Sequence, residues 1–403
     1  MKAVMYGGGN IGRGFIGLLF AQSGYQVTFI DVAQGLVKQL HEARSYPVRI
    51  IGNDGCLDIH VANVDAVNGN DAAAAAAVIA SADIMATAVG ANVLKFIAPN
   101  IAAGLKKRFA ETDRPLDIII CENLMDANRV LEGLIKEHLT PPEQALMDAR
   151  VGLVEASIGR MVPVQTAEMH DGHPLRVCVE GYGYLPVDRD AFKGPLPAIE
   201  GLVPASPFEF YIKRKLYVHN MGHAACAYLG GYTGRKYIWQ AIDDPDTLSI
   251  VENAMLESAM ALSQHYKMSC TDMVLHITDL LARFRNTALK DTCLRVGGDP
   301  TRKLQPSDRL IGAAAFAHAE GIAPAYIAIG AAGAVYRYLS EANMEQSLEG
   351  AQAVLRDVAQ VSGADALSGM ILSMYRCFEE GEPISAMRRA AGQRKAASLR
   401  GII

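Results

Sequence analysis

The stretch from Met5 to Gly17 reads Met-Tyr-Gly-Gly-Gly-Asn-Ile-Gly-Arg-Gly-Phe-Ile-Gly, and it restricts the fold of the chain more than any other segment. It follows a short apolar run, Ala3-Val4-Met5, that reads as a buried strand. Gly7, Gly9 and Gly12 fall on the G-x-G-x-x-G spacing, with Asn10 and Ile11 inside the turn. In that pattern the first glycine permits a tight turn and the second lets a pyrophosphate approach the backbone. The third lets the following helix pack close to the strand. The helix, over residues 11–22, directs its free N–H groups and positive dipole end at the phosphates. It stops at Ser23-Gly24.

A glycine turn alone is a weak signal, and its context decides the reading. A second apolar run, Val27-Thr28-Phe29-Ile30, ends in Asp31, nineteen residues beyond Gly12. An acid there accepts hydrogen bonds from both adenosine ribose hydroxyls and repels a 2′-phosphate. Strand, glycine turn, helix, strand and acid in this order predict an NAD site. The bland alternative is an ordinary βαβ unit in which Asp31 caps a turn.

With 403 residues the chain has room for two or three domains. Half of it is apolar and a fifth charged, as in globular enzymes. A net charge of −5 gives no support to a nucleic-acid partner or an anionic membrane surface. Seven dispersed cysteines without a C-x-x-C pair read as reduced thiols, which predicts a cytoplasmic protein. No Cys/His cluster suggests a zinc site, so no metal is expected. The first strand begins at the N-terminus, Arg13 and the glycines interrupt any signal-peptide core, and no run of about 18 uncharged apolar residues predicts a membrane span.

Beyond Asp31 a helical pattern runs to about Ala43. Residues 47–51 and 57–61, joined by Asn53-Asp54-Gly55, predict a β-hairpin. Alanines 72–77 behind Asp71 predict a capped helix. Residues 83–87 and 117–121 read as further buried parallel strands. Ligands in such sheets lie at the carboxyl ends of the strands, so Val89, Gly90, Glu122 and Asn123 are candidates to line the nicotinamide half. Residues 151–154 read as another strand, leading to Ser157, Arg160 and Pro163. Residues 175–179 and 182–187 alternate like antiparallel strands, and Pro195 to Pro207 reads as a linker. From there on the periodicity is helical, over 208–229, 247–266, 271–284, 306–319, 322–341, 347–361 and 365–379. The expected architecture is α/β: a Rossmann-type dinucleotide-binding domain with extra β-hairpins over 1–195, and an all-α domain over 196–403.

The second domain opens with Tyr211-Ile-Lys-Arg-Lys215-Leu-Tyr-Val-His219-Asn220-Met-Gly-His223. At about 100° per residue, Lys215, His223 and Asn220 fall at roughly 0°, 80° and 140° around a helix. A lysine beside a dry nicotinamide has its pKa pulled down and acts as general base toward an alcohol. An amide and an imidazole can hydrogen-bond the developing alkoxide. A solvated basic helix face has the same composition, and His219, at roughly 40°, shares the face. The Tyr211-x-x-x-Lys215 spacing also matches the short-chain dehydrogenase pair, but that family is a shorter single domain with a different glycine pattern.

Lys215-x-x-x-x-Asn220-x-x-His223 resembles the signature of the polyol-specific long-chain dehydrogenases, and residues 7–15 resemble their opening. The resemblance continues through Thr87-Ala-Val-Gly90, Cys121-Glu-Asn123, Phe192-Lys-Gly-Pro-Leu-Pro197, Ala227-Tyr-Leu-Gly230, Arg283-Phe-x-Asn286 and Arg302-Lys-Leu-x-x-x-Asp308-Arg-Leu310. It covers residues 1 to about 380. It implies a metal-independent NAD enzyme acting on a small polyol or polyol phosphate, with Lys215 as base and Asn220 and His223 as the oxyanion pair. Arg160, Arg283, Arg302 and Lys303 are the expected substrate or phosphate clamps by charge; surface or cap charges are the alternative for the last three. One departure concerns the family's Val-Asp-Arg-Ile-x-Pro element, which is here Ile158-Gly159-Arg160-Met161-Val162-Pro163. Gly159 replaces an acid, and Glu155 could stand in for it were the segment helical. Two rivals stay open: a β-hydroxyacid dehydrogenase, which spaces its Lys and Asn one residue closer, and an NAD-sensing protein without turnover.

Overall fold

The computed structural model describes residues 1–363 and 365–400. The chain forms two compact units, Met1–Tyr211 and Ile212–Ile403.

In the first unit, six parallel strands form one sheet. They are β1 (Lys2–Tyr6), β2 (Gln26–Asp31), β5 (Val64–Asn68), β6 (Ile84–Thr87), β7 (Leu116–Ile120) and β8 (Val151–Glu155). Their order, β5-β2-β1-β6-β7-β8, reverses direction between β1 and β6, which is the doubly wound arrangement. Strands β6 and β7 are buried along their whole length, as expected for apolar strands covered on both faces. Alternation along β1 sends Ala3 and Met5 into one core layer with Phe15, Ile16 and Phe29. Val4 and Tyr6 enter the other, with Ile79, Leu94 and Ile97 from the covering helices.

The alanine run forms the helix Ala72–Ser81, and Asp71 caps it by accepting from the Ala74 N–H at 3.0 Å. The predicted hairpin is β3 (Ser45–Gly52) paired antiparallel with β4 (Gly55–Ala62). Its turn needs Gly55, whose φ is +119°.

Two expectations fail between residues 175 and 207. β9 (Val177–Val179) pairs parallel with β3, and β10 (Leu185–Asp188) pairs parallel with β11 (Leu202–Ala205). Alternation reveals which side chains share a face but not a strand's partner or direction. The segment read as a linker therefore carries a strand of the first unit.

The second unit is helical. Its centre is Ala325–Glu341 against Met221–Tyr232, both buried almost all round. Small residues set their approach: a Cβ on Gly330 would lie 2.9 Å from the Ala225 Cβ, and one on Gly333 would lie 2.9 Å from the Tyr228 Cβ. The close contact anchors the helix that carries His223. Short elements without a full period, such as Ile238–Ile242, Cys293–Val296 and Pro300–Lys303, escaped the sequence reading. No helix among the described residues is long and apolar enough to cross a membrane.

Candidate active site

In the first unit the candidate residues gather at the carboxyl ends of β1, β2, β6 and β7. Gly7 has a φ of +100°, and a Cβ there would lie 2.5 Å from the Ala88 carbonyl oxygen, so the turn presses against the loop after β6. Gly9 is exposed, and a Cβ on it would meet nothing within 4 Å. A Cβ on Gly12 would sit 1.9 Å from the Gly7 carbonyl oxygen. The second glycine thus leaves open space where a phosphate can approach, and the third lets the helix close on the turn. Asn10 is exposed and Ile11 half-buried at the helix start.

That helix opens as a π turn, Gly12–Ile16, with the Gly17 N–H reaching back five residues to the Gly12 carbonyl. Such widened turns are rare and concentrate at functional sites. Arg13, not singled out from sequence, is buried beneath the turn. It donates from Nε to the Gly8 carbonyl at 2.7 Å and from Nη1 to the Leu175 carbonyl. Burial lowers its pKa.

Asp31, at the end of β2, accepts from the Gly8 N–H at 2.7 Å and from the Ala33 N–H at 2.9 Å. A carboxylate has about four acceptor positions, so capacity remains for a diol. Glu122 accepts from the N–H groups of Val89 at 3.0 Å and Gly90 at 2.7 Å, tying the loop after β6 to the end of β7. Its carboxylate holds backbone there, while Asn123 lies exposed beside it.

Arg160 is buried within the first unit. It donates to the Tyr182 carbonyl and, at 2.8 Å, to the Gly14 carbonyl, with its guanidinium 4.4 Å from the Phe15 ring centre. These contacts give it a structural task, pinning the loop after β8 to the π turn. Glu155 ends β8, so the segment is not helical there. Its carboxylate accepts from the Ala127 N–H at 3.0 Å, which corrects the idea that it stands in for the missing acid. A Cβ on Gly159 would lie 2.9 Å from the Tyr182 ring, so a side chain there requires that ring to move.

In the second unit Lys215 opens another π turn, Lys215–Asn220, closed by the Met221 N–H on the Leu216 carbonyl. The widened turn changes the fan calculated at 100° per residue, because a residue in i→i−5 bonding advances by a smaller angle. Burial, and secondarily the charge of Arg309, lowers the pKa of Lys215 to about 8. The half-buried Asn220 amide makes no hydrogen bond among the described residues.

The structure distinguishes the two histidines that the helical wheel left equivalent. His219 is buried beside Phe284, with its pKa held well below normal by burial and then by Arg283, His223, His276 and Lys215. His223 stays partly exposed, stacks on Phe284 at 4.8 Å and 16°, and places Nε2 3.3 Å from Asp291 Oδ2.

The three expected cationic clamps of this unit also separate. Arg283 pairs with Asp279 at 3.3 Å and lies within electrostatic reach of His219. Arg302 is half exposed and paired with Asp299 at 2.9 Å and Asp308 at 3.3 Å. Lys303 is only 5% exposed, and its ammonium makes no hydrogen bond or ion pair among the described residues. Burial first, then Arg309 and Arg302, lowers its pKa to about 8. Arg309, which pairs with Asp308 at 2.7 Å, acts on both Lys215 and Lys303, and sequence reasoning gave it no role. Among the described residues no three His, Cys, Asp or Glu side chains are grouped to hold a metal ion.

Comparison with known proteins agrees with this architecture in both units. Pseudomonas fluorescens mannitol 2-dehydrogenase, solved as a ternary complex with NAD and D-mannitol, is similar with a TM-score of 0.72 and 16% identity. The match covers 96% of this chain and 94% of that one. A D-sorbitol dehydrogenase in substrate-free form is similar with a TM-score of 0.76 and 14% identity, over 94% of each chain. The model of the mannitol dehydrogenase Rossmann domain matches residues 1–201, and that of the mannitol dehydrogenase C-terminal domain matches residues 208–381. With both domain models matched in order over most of its length, the chain belongs to the mannitol dehydrogenase family.

Proposed function

We propose that this protein is an NAD-dependent polyol dehydrogenase whose substrate carries a phosphate: a mannitol-1-phosphate 5-dehydrogenase interconverting mannitol 1-phosphate and fructose 6-phosphate. The observation that carries the phosphate part is Lys303, a buried cation without a carboxylate partner among the described residues, influenced by the same Arg309 that acts on Lys215. Leaving an unpaired ammonium buried is costly, and an anionic ligand offsets that cost.

The turn residues fit a dinucleotide: Gly9 offers open space, Gly12 admits the helix, and Asp31 keeps acceptor capacity for a ribose. When bound, the nicotinamide supplies hydride chemistry. Lys215, neutral above about pH 8, takes the hydroxyl proton during oxidation and returns it from the ammonium during reduction. Asn220 donates its amide N–H to the reacting oxygen, and His223 hydrogen-bonds the substrate. A metal ion has no part in this scheme, because Lys215 supplies the base.

The test is NADH oxidation with fructose 6-phosphate against fructose. The phosphorylated ketose is expected to be preferred by roughly 10²-fold or more in kcat/KM, from charge-assisted hydrogen bonds. Lys303→Ala should remove most of that preference by raising KM for fructose 6-phosphate. Equal use of both ketoses would sink the phosphate assignment, and absence of turnover with either sugar or a panel of polyols would favour an NAD sensor.

Cofactor choice follows from Asp31. No arginine occurs in Val32-Ala33-Gln34-Gly35 to offset its charge, so NAD should be preferred over NADP. Asp31→Ala should narrow the preference by about 10- to 100-fold, the scale of a charged hydrogen bond. Equal kcat/KM for the two cofactors in the wild type would refute the assignment.

A further inference from the structure

Asp291 lies outside every motif that suggested chemistry, yet its carboxylate is buried and shared between two partners. Oδ2 lies 3.3 Å from His223 Nε2. Oδ1 accepts two hydrogen bonds from Arg295, from Nε at 2.9 Å and from Nη2 at 2.5 Å. Despite the cost of burial, contacts with His223 and Arg295 keep its pKa below normal, so it is ionised at neutral pH. Its backbone is fixed as well: the Asp291 carbonyl accepts from the Ile238 N–H at 2.9 Å, and Thr292 bridges to Tyr237. Phe284 stacked on the other ring then holds the imidazole in one plane.

We propose that Asp291 is a positioning residue that fixes the tautomer of His223, so that the neutral ring accepts a hydrogen bond from a substrate hydroxyl. The inference rests on the reading of His223 as a substrate-contacting residue. An ionised carboxylate can only accept, so the nitrogen facing it must carry the proton. The neutral ring has one proton, and Nδ1 is left as a lone pair. In the neutral form of the ring that nitrogen receives a hydroxyl O–H and cannot donate to an alkoxide, which leaves Asn220 as the donor to the developing oxyanion. The pair expected from sequence to act alike is thereby divided: an amide donates to the reacting oxygen, and an imidazole recognises a hydroxyl. Asp291 acts as a second-layer partner of the kind that sets ring orientation elsewhere.

Arg295 makes the decisive variant well defined. In Asp291→Asn its two donors hold the amide oxygen on their own side, which turns the amide NH₂ toward His223. Nε2 must then accept and the proton moves to Nδ1, so a nearly isosteric change inverts the tautomer. The measurement is the histidine ¹⁵N spectrum of the full-length protein, with His223 assigned by its loss in His223→Gln. The wild type should show Nε2 protonated and Nδ1 bare, and Asp291→Asn the reverse. kcat/KM should fall about 10- to 100-fold in Asp291→Asn, the scale of a mispaired buried hydrogen bond. The wild-type spectrum needs no variant to fold, and a proton on Nδ1 there would overturn the proposal. So would wild-type kcat/KM in Asp291→Asn when His223→Gln is impaired, and in that case the reading of His223 would stand. Wild-type kcat/KM in His223→Gln would instead remove that reading, and the role of Asp291 with it.

Discussion

Lys215→Met is expected to lower kcat roughly 10²- to 10⁴-fold, the usual contribution of a positioned acid–base group, while NADH still binds. The cofactor turn belongs to the first unit and Lys215 to the second, so binding and turnover should separate in this variant. The oxidation rate of the wild type should rise with pH through about 8 and then level off, because the base proposed for oxidation is the neutral amine. Reduction needs the ammonium and should fall over the same interval. The variant should also be more stable than the wild type at neutral pH. Folding lowers this lysine's pKa from 10.5 to about 8, so below pH 8 the folded state bears the full cost of the buried charge, about 3 kcal/mol. That cost is relieved as pH rises from 8 to 10.5, and the corresponding rise in stability should vanish in Lys215→Met. Lys213→Ala is the control. Its ammonium rests 4.8 Å from the Phe316 ring centre and 5.6 Å from that of Tyr266, so its loss should cost about 1 kcal/mol of stability and leave kcat within a few-fold. An active Lys215→Met, or an inactive Lys213→Ala, would show that the base is elsewhere.

Gly12→Ala and Gly9→Ala should divide a role in folding from a role in binding. The added methyl at Gly12 falls 1.9 Å from a backbone carbonyl that cannot turn away, so the π turn or β1 must shift. A loss of about 3 kcal/mol in stability is expected, with NADH affinity reduced roughly 10²-fold as the turn moves. At Gly9 the methyl enters open space, so Tm should be unchanged while NADH affinity still falls, because that space is the one assigned to the pyrophosphate. Thermal unfolding and NADH fluorescence titration separate the two. Unchanged affinity in Gly9→Ala would remove this glycine from the cofactor site.

Much of the first unit was legible because its constraints are local. Glycine spacing requires a backbone path, Asn53-Asp54-Gly55 requires a reversal, and Asp71 before an alanine run requires a helix start; all three are present. The strand partners of residues 177–179 and 185–188 were not legible, because pairing is a long-range choice and alternation carries no direction. Arg160 was expected among the substrate clamps from its charge and place in the motif; the sequence did not reveal that its guanidinium also donates to the main-chain carbonyls of Tyr182 and Gly14.

The sequence by itself determined the family and the two-part architecture, along with the residue types able to perform hydride-coupled proton transfer, since glycine positions and a Lys/Asn/His spacing are properties of the chain. Tertiary structure decided which of these groups are chemically primed. It distinguished His223 from His219 by burial and by the Asp291 contact, and it left Lys303 without an ion pair among the described residues while Arg302 was neutralised by two aspartates. It also lowered Lys215 to about 8 through desolvation and the charge of Arg309. Protonation and hydrogen-bond sense depend on which groups are brought near and how much water is excluded, and those are properties of packing that spacing along a chain does not encode.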